Sequence, residues 1–235
     1  MSAAALALSF FDPAHEIYGT ARSGATILFE GRHPRALPEG PDIEANGDGV
    51  TARLEGELDL AVETISEPAD LGELSVRLAR VRGEAAGRKV DCLGTLAETL
   101  TPPRWEELDA VRTVSVLVDE QHALLLLARR PRGALGHGQE QVTATLLDEG
   151  TFKPVEDARL STVYDGDGRQ RSAGLELWLP GEEFPRRGSG LVTAGSSLAL
   201  DELQVHAAVF RWRLDGREAI GAYELMARTE PPAAA

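Results

Sequence analysis

The sequence predicts an all-β protein, and three observations support that prediction. Short segments with period-two hydrophobic alternation recur along the 235 residues, turn sequences built from Asp and Gly separate them, and helical periodicity is scarce. Antiparallel sandwiches and barrels are made of many short strands joined in this way. We therefore expect one of these two architectures.

The alternating pattern defines thirteen predicted strands. They cover residues 16–21, 25–30, 50–60, 74–82, 89–95, 111–118, 123–129, 141–147, 158–164, 174–179, 190–198, 205–213 and 220–227. For residues 74–82 a helix is an alternative, because the apolar residues there also fit one helical stripe.

One short helix is expected near the middle of the chain, over residues 101–108. Thr101 can cap it, two prolines follow where a helix lacks N–H partners, and two glutamates then meet the positive end of the helix dipole. Trp105 would lie on this helix. Because the helix divides the strands into two sets, we expect an N-terminal β domain over residues 1–100 and a C-terminal β domain over residues 101–235.

Charge and hydropathy exclude several classes of partner. The chain has 24 Lys and Arg against 38 Asp and Glu, a formal net charge of −14, which disfavours a nucleic-acid backbone or an anionic membrane surface. The longest aliphatic run, residues 123–128, is far too short to span a bilayer. Residues 1–16 lack the basic region of a signal peptide. We expect a cytoplasmic protein with no nucleic-acid partner and no transmembrane segment; the oligomeric state stays open.

The sequence contains no motif for a cofactor or a metal, so we expect neither. Cys92 is the only cysteine, which excludes an internal disulfide and a thiolate zinc site, and its neighbour Asp91 disfavours a reactive thiolate. His15 has no second histidine at ligand spacing. Ser196 and Ser197 lie in an uncharged segment, so catalysis by a Ser/His/Asp triad is not expected.

The C-terminal hairpin can be predicted pair by pair. Asp215-Gly216 is a strong two-residue hairpin signal, which places Leu214 opposite Arg217. Counting outwards gives the pairs Arg213/Glu218, Trp212/Ala219, Phe210/Gly221, Val209/Ala222, Ala208/Tyr223, His206/Leu225 and Val205/Met226. Both faces of this hairpin are partly apolar, which predicts a closed or double-layered structure.

The same hairpin resembles a known family. Residues 210–217 and 221–224, with residues 162–165 and 175–178, are similar to the closing region of carotenoid hydratases of the hydroxyneurosporene synthase type. The resemblance implies two tandem lipocalin-like antiparallel β-barrel or sandwich halves. It also implies a hydrophobic ligand (terpenoid, steroid or polyketide-like) in a barrel pocket. The implied chemistry is cofactor-free hydration, dehydration, isomerisation or cyclisation. A non-catalytic carrier and a structural subunit of a β assembly are the alternatives.

One face of the hairpin carries the main candidates for a ligand site: His206, Phe210, Trp212 and Tyr223. Aromatic rings there offer apolar area, and the polar tips of His206 and Tyr223 offer hydrogen bonds. The alternative is a packed core in which His206 is hydrogen-bonded.

Two further segments contribute candidates. Glu176 and Trp178 share a face of one strand, and a carboxyl group beside an indole in a dry pocket would have a raised pKa and act as an acid. The alternative is that this face meets solvent. Glu16 and Tyr18 alternate with Ile17 and could form a polar strip along a cavity. The predicted catalytic residues are Glu176, His206 and Tyr164, and the predicted ligand-binding residues are Trp178, Phe210, Trp212, Tyr223, Tyr18 and Glu16.

Overall fold

The computed structural model describes residues 5–46, 49–135 and 137–229, apart from the side chains of Asn46 and His137. Within these ranges it contains nineteen β-strands, one 3₁₀ turn at His137–Gln139 and no α-helix. The all-β prediction is therefore confirmed. Over the same part of the chain no helix has the length and apolar character needed to cross a bilayer. The cytoplasmic location stays a prediction.

The first ten strands form one antiparallel sheet in the spatial order β4-β3-β2-β1-β10-β9-β7-β6-β5, with β8 paired to β9. The strands are β1 Ala5–Asp12, β2 Ile17–Arg22, β3 Ala25–Glu30, β4 His33–Leu37, β5 Asp42–Asn46, β6 Gly49–Leu54, β7 Leu58–Thr64, β8 Ala69–Asp70, β9 Leu74–Ala85 and β10 Arg88–Thr99.

The remaining nine strands form a second antiparallel sheet in the order β14-β13-β12-β11-β19-β18-β17-β16-β15. They are β11 Leu108–Asp119, β12 His122–Pro131, β13 Gln141–Asp148, β14 Thr151–Pro154, β15 Asp157–Tyr164, β16 Gln170–Trp178, β17 Arg186–Leu200, β18 Leu203–Leu214 and β19 Arg217–Arg228. Apart from β8, the two sheets repeat one topology strand for strand. Since the chain passes from one sheet to the other between β10 and β11, we propose that this connection separates the domains 1–100 and 101–235.

Each sheet curls into a half-barrel with its own apolar interior, and the outer faces of the two sheets pack against each other. The first interior contains Leu8, Phe10 and Leu60, and the second contains Leu175 and Phe210. A third core lies between the sheets, and its members include Phe11, Tyr18, Leu117, Leu125 and Val209. The central strands of both sheets are therefore buried on both faces, which explains why the terminal hairpin is apolar on both sides.

The predicted register of that hairpin is confirmed at every pair, from Leu214 opposite Arg217 to Val205 opposite Met226. Both turn residues have positive φ, 49° at Asp215 and 81° at Gly216. This is the backbone conformation that a tight two-residue hairpin turn requires.

The predicted central helix is wrong. Residues 101–107 form an irregular connection that ends in a turn, closed by a hydrogen bond from the Glu107 N–H to the Arg104 carbonyl. The predicted strand over residues 50–60 is two strands, β6 and β7, because the chain reverses at Gly56, where φ is 71°. The helical alternative for residues 74–82 is excluded, since β9 is extended and paired on both sides.

Candidate functional site

Three of the predicted ligand-binding residues lie inside the second half-barrel. Phe210 stacks on Trp212 with ring centroids 5.2 Å apart and contacts Tyr223 at 5.6 Å. All three side chains are almost completely buried. The indole N–H of Trp212 has no acceptor among the residues that the structure describes. The rings pack mainly against one another and against the apolar residues around them, as in the packed-core alternative.

A buried polar cluster closes one end of this interior. Arg112, only 2 % exposed, donates hydrogen bonds to the Tyr223 hydroxyl at 3.1 Å and to the Thr162 hydroxyl at 3.3 Å. It also forms an ion pair with Glu140, whose carboxylate lies 3.4 Å from the Nε atom of Arg130. A buried charge is stable only when it is paired and hydrogen-bonded. The cluster thus ties the segment before β13 to the end of the half-barrel.

Sequence reasoning missed Arg112, although its position carries a usable pattern. Arg112 interrupts the apolar alternation of β11 on the face that also carries Val114 and Val116, both of which point into the second interior. A charged side chain at such a position predicts a buried partner of opposite charge. That partner, Glu140, is far along the chain and outside any strand, so spacing alone does not identify it.

Two of the predicted catalytic residues, His206 and Tyr164, lie near this cluster. The imidazole Nδ1 of His206 is 2.7 Å from the Ser197 hydroxyl oxygen, and the side-chain amide of Gln170 donates to the backbone carbonyls of His206 and Tyr223. Tyr164 pairs with Gln170 across β15 and β16. Burial raises the pKa of Tyr223; the charge of Arg112 opposes this shift and the neighbouring Tyr164 adds to it. The structure therefore brings His206, Tyr164 and Tyr223 to one end of the second half-barrel.

Glu176 and Trp178 lie on the face of β16 that points away from the second interior. Leu175 and Leu177 point into the second interior, so Glu176 and Trp178 point outwards. The Glu176 carboxylate is 39 % exposed and lies 3.6 Å from the Nε atom of Arg187. Trp178 has the Arg159 guanidinium 4.7 Å above its ring. Neither residue contributes to an interior site, and their predicted roles stay predictions.

Glu16 and Tyr18 do not form the predicted polar strip along a cavity. Glu16 lies in the exposed turn before β2, with φ at 53°, whereas Tyr18 is buried in the core between the sheets. Burial, followed by the nearby charge of Glu16, raises the pKa of the Tyr18 hydroxyl. Tyr18 therefore belongs to the boundary between the sheets rather than to a barrel lumen.

A cavity of about 140 Å³ lies between the two sheets. Small and hydroxyl-bearing side chains of the central strands line much of it: Ala7, Ser9, Thr20, Thr95, Ala97, Thr113, Ser115 and Ala222. Larger residues of the same core, such as Phe11 and Leu117, hold the sheets apart on the flank. Since small side chains at the centre cannot fill that separation, a cavity remains.

An ion pair lies in the wall of this cavity. The guanidinium of Arg22, on β2, pairs with the carboxylate of Glu224, on β19, and a second nitrogen of Arg22 lies 3.5 Å from the sulfur of Met226. Leu71, Leu74 and Val76 add an apolar side to the wall. The cavity therefore offers apolar surface, hydroxyl groups and one charged pair within a single partly open space, which is the composition of small-molecule sites.

No metal centre is evident in the described ranges, where no cluster of three or more His, Cys, Asp or Glu side chains occurs. Cys92 is unsuited to thiolate chemistry, because burial raises its pKa to about 12.

Comparison with known proteins places the fold. No family model and no curated protein sequence matches the chain. Among solved structures, a candidate AttH protein from Nitrosomonas europaea superposes with a TM-score of 0.62 at 11 % identity, covering 95 % of this chain and 91 % of that one. Kievitone hydratase from Nectria haematococca superposes with a TM-score of 0.56 at 9 % identity, covering 96 % of this chain and 89 % of that one. The resemblance seen in the sequence is thus confirmed for the fold: this chain has the two-sheet, lipocalin-like architecture of AttH and kievitone hydratase.

Proposed function

We propose that the protein binds a hydrophobic small molecule in the cavity between its two sheets. The observation that supports this most is the cavity itself, which is largely apolar yet contains hydroxyl groups and the Arg22–Glu224 pair. Pockets that combine apolar walls with a few placed polar groups are the usual form of small-molecule sites.

The size of the cavity limits what it encloses. Its volume, about 140 Å³, is below the roughly 300–1,000 Å³ of sites that bury a drug-sized ligand. A terpenoid, steroid or polyketide-like molecule would therefore place only one end between the sheets. Arg22 and Glu224 would meet an oxygen at that end, since a guanidinium donates and a carboxylate accepts hydrogen bonds.

A cavity-filling variant tests this proposal. Ala97→Phe places a ring in the cavity between the sheets from its position on β10, and Ala199→Phe makes the same change at an exposed position of β17. Titration calorimetry with geraniol, a terpenoid alcohol, should show binding to the wild type and to the Ala199→Phe control, and at least tenfold weaker binding to Ala97→Phe. Equal affinity in all three proteins would contradict the proposal.

Cofactor-free hydration is a second candidate function, favoured by the carboxylate of Glu224 in the cavity wall. A carboxylate accepts a proton more readily than it supplies one, so it suits the addition of water to an α,β-unsaturated carbonyl better than the protonation of an isolated alkene. Glu224 would take a proton from water as its oxygen bonds to the β-carbon. Arg22 would stabilise the enolate oxygen, and the proton would return to the α-carbon. Kievitone hydratase, which has a similar fold, is by its name also an enzyme that adds water.

Isotope incorporation tests the second candidate. In water enriched in oxygen-18, the wild type should convert a cyclic enone to a labelled β-hydroxy ketone, and Glu224→Gln should lose that activity while still binding geraniol. A product formed equally by both proteins would contradict a role for Glu224.

A further inference from the structure

Ser197 and His206 form a side-chain pair that the ligand cavity does not use. The β17–β18 hairpin places the two residues directly opposite each other, and the Ser197 hydroxyl oxygen lies 2.7 Å from His206 Nδ1. Both residues are half-buried, so a small molecule in solvent can reach them. A nucleophile and a base within hydrogen-bond distance are the minimal arrangement for nucleophilic catalysis.

Arg169 adds a second hydrogen bond to the Ser197 oxygen. Its Nε atom lies 3.2 Å from the Ser197 oxygen, and a guanidinium only donates, so the oxygen accepts from Arg169. When His206 Nδ1 carries no proton, the Ser197 hydroxyl donates its hydrogen to that nitrogen. Burial, followed by the charge of Arg169, lowers the pKa of His206 against the opposing charge of Asp165, which favours the neutral ring that can accept this hydrogen.

The surroundings hold the pair in place. The backbone N–H of Arg169 donates to the Asp165 carboxylate at 2.9 Å, which fixes the turn from which the arginine extends. Gln170 holds the backbone carbonyl of His206 from the same side. The Arg169 guanidinium adjoins the Ser197 oxygen, where it can also stabilise negative charge on an attacked carbonyl.

We propose that Ser197 and His206 are a nucleophile–base pair that cleaves esters of small carboxylic acids. The Ser197 oxygen bonds to the carbonyl carbon as its proton passes to His206. The bond to the leaving alkoxide then breaks, and His206 returns the proton to it, which leaves an acyl-serine. The same histidine then takes a proton from water as the water oxygen bonds to the acyl carbon, and it returns that proton to the Ser197 oxygen as the acyl–serine bond breaks, which releases the acid. Arg169 stabilises the oxyanion in both halves.

The proposed pair has no aspartate as a third member, so it differs from the Ser/His/Asp triad that the sequence does not predict. Ser197 lies in an uncharged segment, and its partners come from β18 and from the β15–β16 turn. Strand pairing places His206 opposite Ser197, and the β15–β16 turn brings Arg169 to them.

An alkyl fluorophosphonate probe tests the proposal on the whole chain. Peptide mass spectrometry should find the phosphonyl group on Ser197 in the wild type. Ser196→Ala is the matched control, because Ser196 lies on the other face of β17, opposite Ala207. The Ser196→Ala variant should be labelled like the wild type, whereas His206→Gln should be labelled at about a tenth of the wild-type rate or below.

A second measurement separates chemistry from folding. With p-nitrophenyl acetate, the wild type should gain the mass of one acetyl group on Ser197. The Ser197→Ala variant should not gain it, although its circular dichroism spectrum and melting temperature should be those of the wild type. The proposal is overturned if Ser197 takes up neither group, or if Arg169→Gln and His206→Gln, when folded, react as fast as the wild type.

Discussion

Arg22 and Glu224 form an ion pair between β2 of the first sheet and β19 of the second, although 202 residues separate them in the sequence. Both side chains are largely removed from water, with 22 % and 8 % of their surface exposed. The pair therefore joins the two half-barrels at the cavity and gives that cavity its charged groups.

Removing one charge of this pair should destabilise the protein. Glu224→Gln leaves Arg22 half-buried without its ionic partner, and we expect a loss of about 2 kcal/mol in the free energy of unfolding. Arg22→Met should cost a similar amount, and the double variant should lose less than the sum. Urea unfolding measures all three. Arg53→Met, which removes an exposed pair with Asp59, is the control and should change stability by under about 1 kcal/mol. Additive losses would contradict coupling between the sheets.

The turn at Gly216 should not tolerate a β-branched residue. Gly216 has φ at 81°, and no atom lies within 4 Å of the place that a Cβ atom would take there, so Gly216→Val acts through backbone strain alone. We expect a loss of about 1 kcal/mol or more, seen as a lower melting temperature. Gly166→Val is the matched control, since Gly166 is equally open but has no positive φ. Equal melting temperatures for the two variants would contradict the strain argument.

Trp105 should report on ligand binding. On the predicted helix it would have been remote from a pocket, but in the structure its side chain packs against the core between the sheets. Trp212 faces the second interior, on the other side of that sheet. Geraniol should therefore change the emission of Trp212→Phe as strongly as that of the wild type, and change that of Trp105→Phe much less. The reverse result would place the ligand inside the second half-barrel.

Stability should fall at acidic pH through His206. In the folded protein, burial and then the charge of Arg169 lower the pKa of His206, and Asp165 opposes this shift. In the unfolded chain the pKa of a histidine is about 6.5. As the pH falls through about 6.5, the unfolded chain therefore binds a proton at this position first, and the free energy of unfolding decreases until the folded-state pKa is reached. Urea unfolding between pH 8 and pH 5 should show a steeper loss in the wild type than in His206→Gln. Parallel curves would contradict a lowered pKa.

The sequence was sufficient where local rules determine the structure. Asp215-Gly216 specifies one turn type, and the turn fixes the register of β18 on β19, so all the predicted pairs follow from two residues. The same counting places Phe210, Trp212 and Tyr223 on one face, as observed.

The wrong and missed predictions arise where contacts between distant segments determine the structure. Residues 101–107 have the caps of a helix but too few residues for a stable one, and tertiary contacts such as the hydrogen bond from Arg228 to the Trp105 carbonyl hold them in an irregular path. Likewise, nothing in their own strands distinguishes Glu224 and Arg22 from other charged residues. The cavity between the sheets depends on which faces meet, and neither strand periodicity nor turn chemistry specifies that.

The most direct test of a ligand site between the sheets is to identify what the protein retains. The wild type, Ala97→Phe and the Ala199→Phe control would each be incubated with cell extract and repurified, and the small molecules released on denaturation would be analysed by mass spectrometry. We predict that one apolar, oxygen-bearing compound is retained by the wild type and by Ala199→Phe in near-stoichiometric amount and is lost from Ala97→Phe. Retention of the same compound by Ala97→Phe at the wild-type level would contradict a site between the sheets.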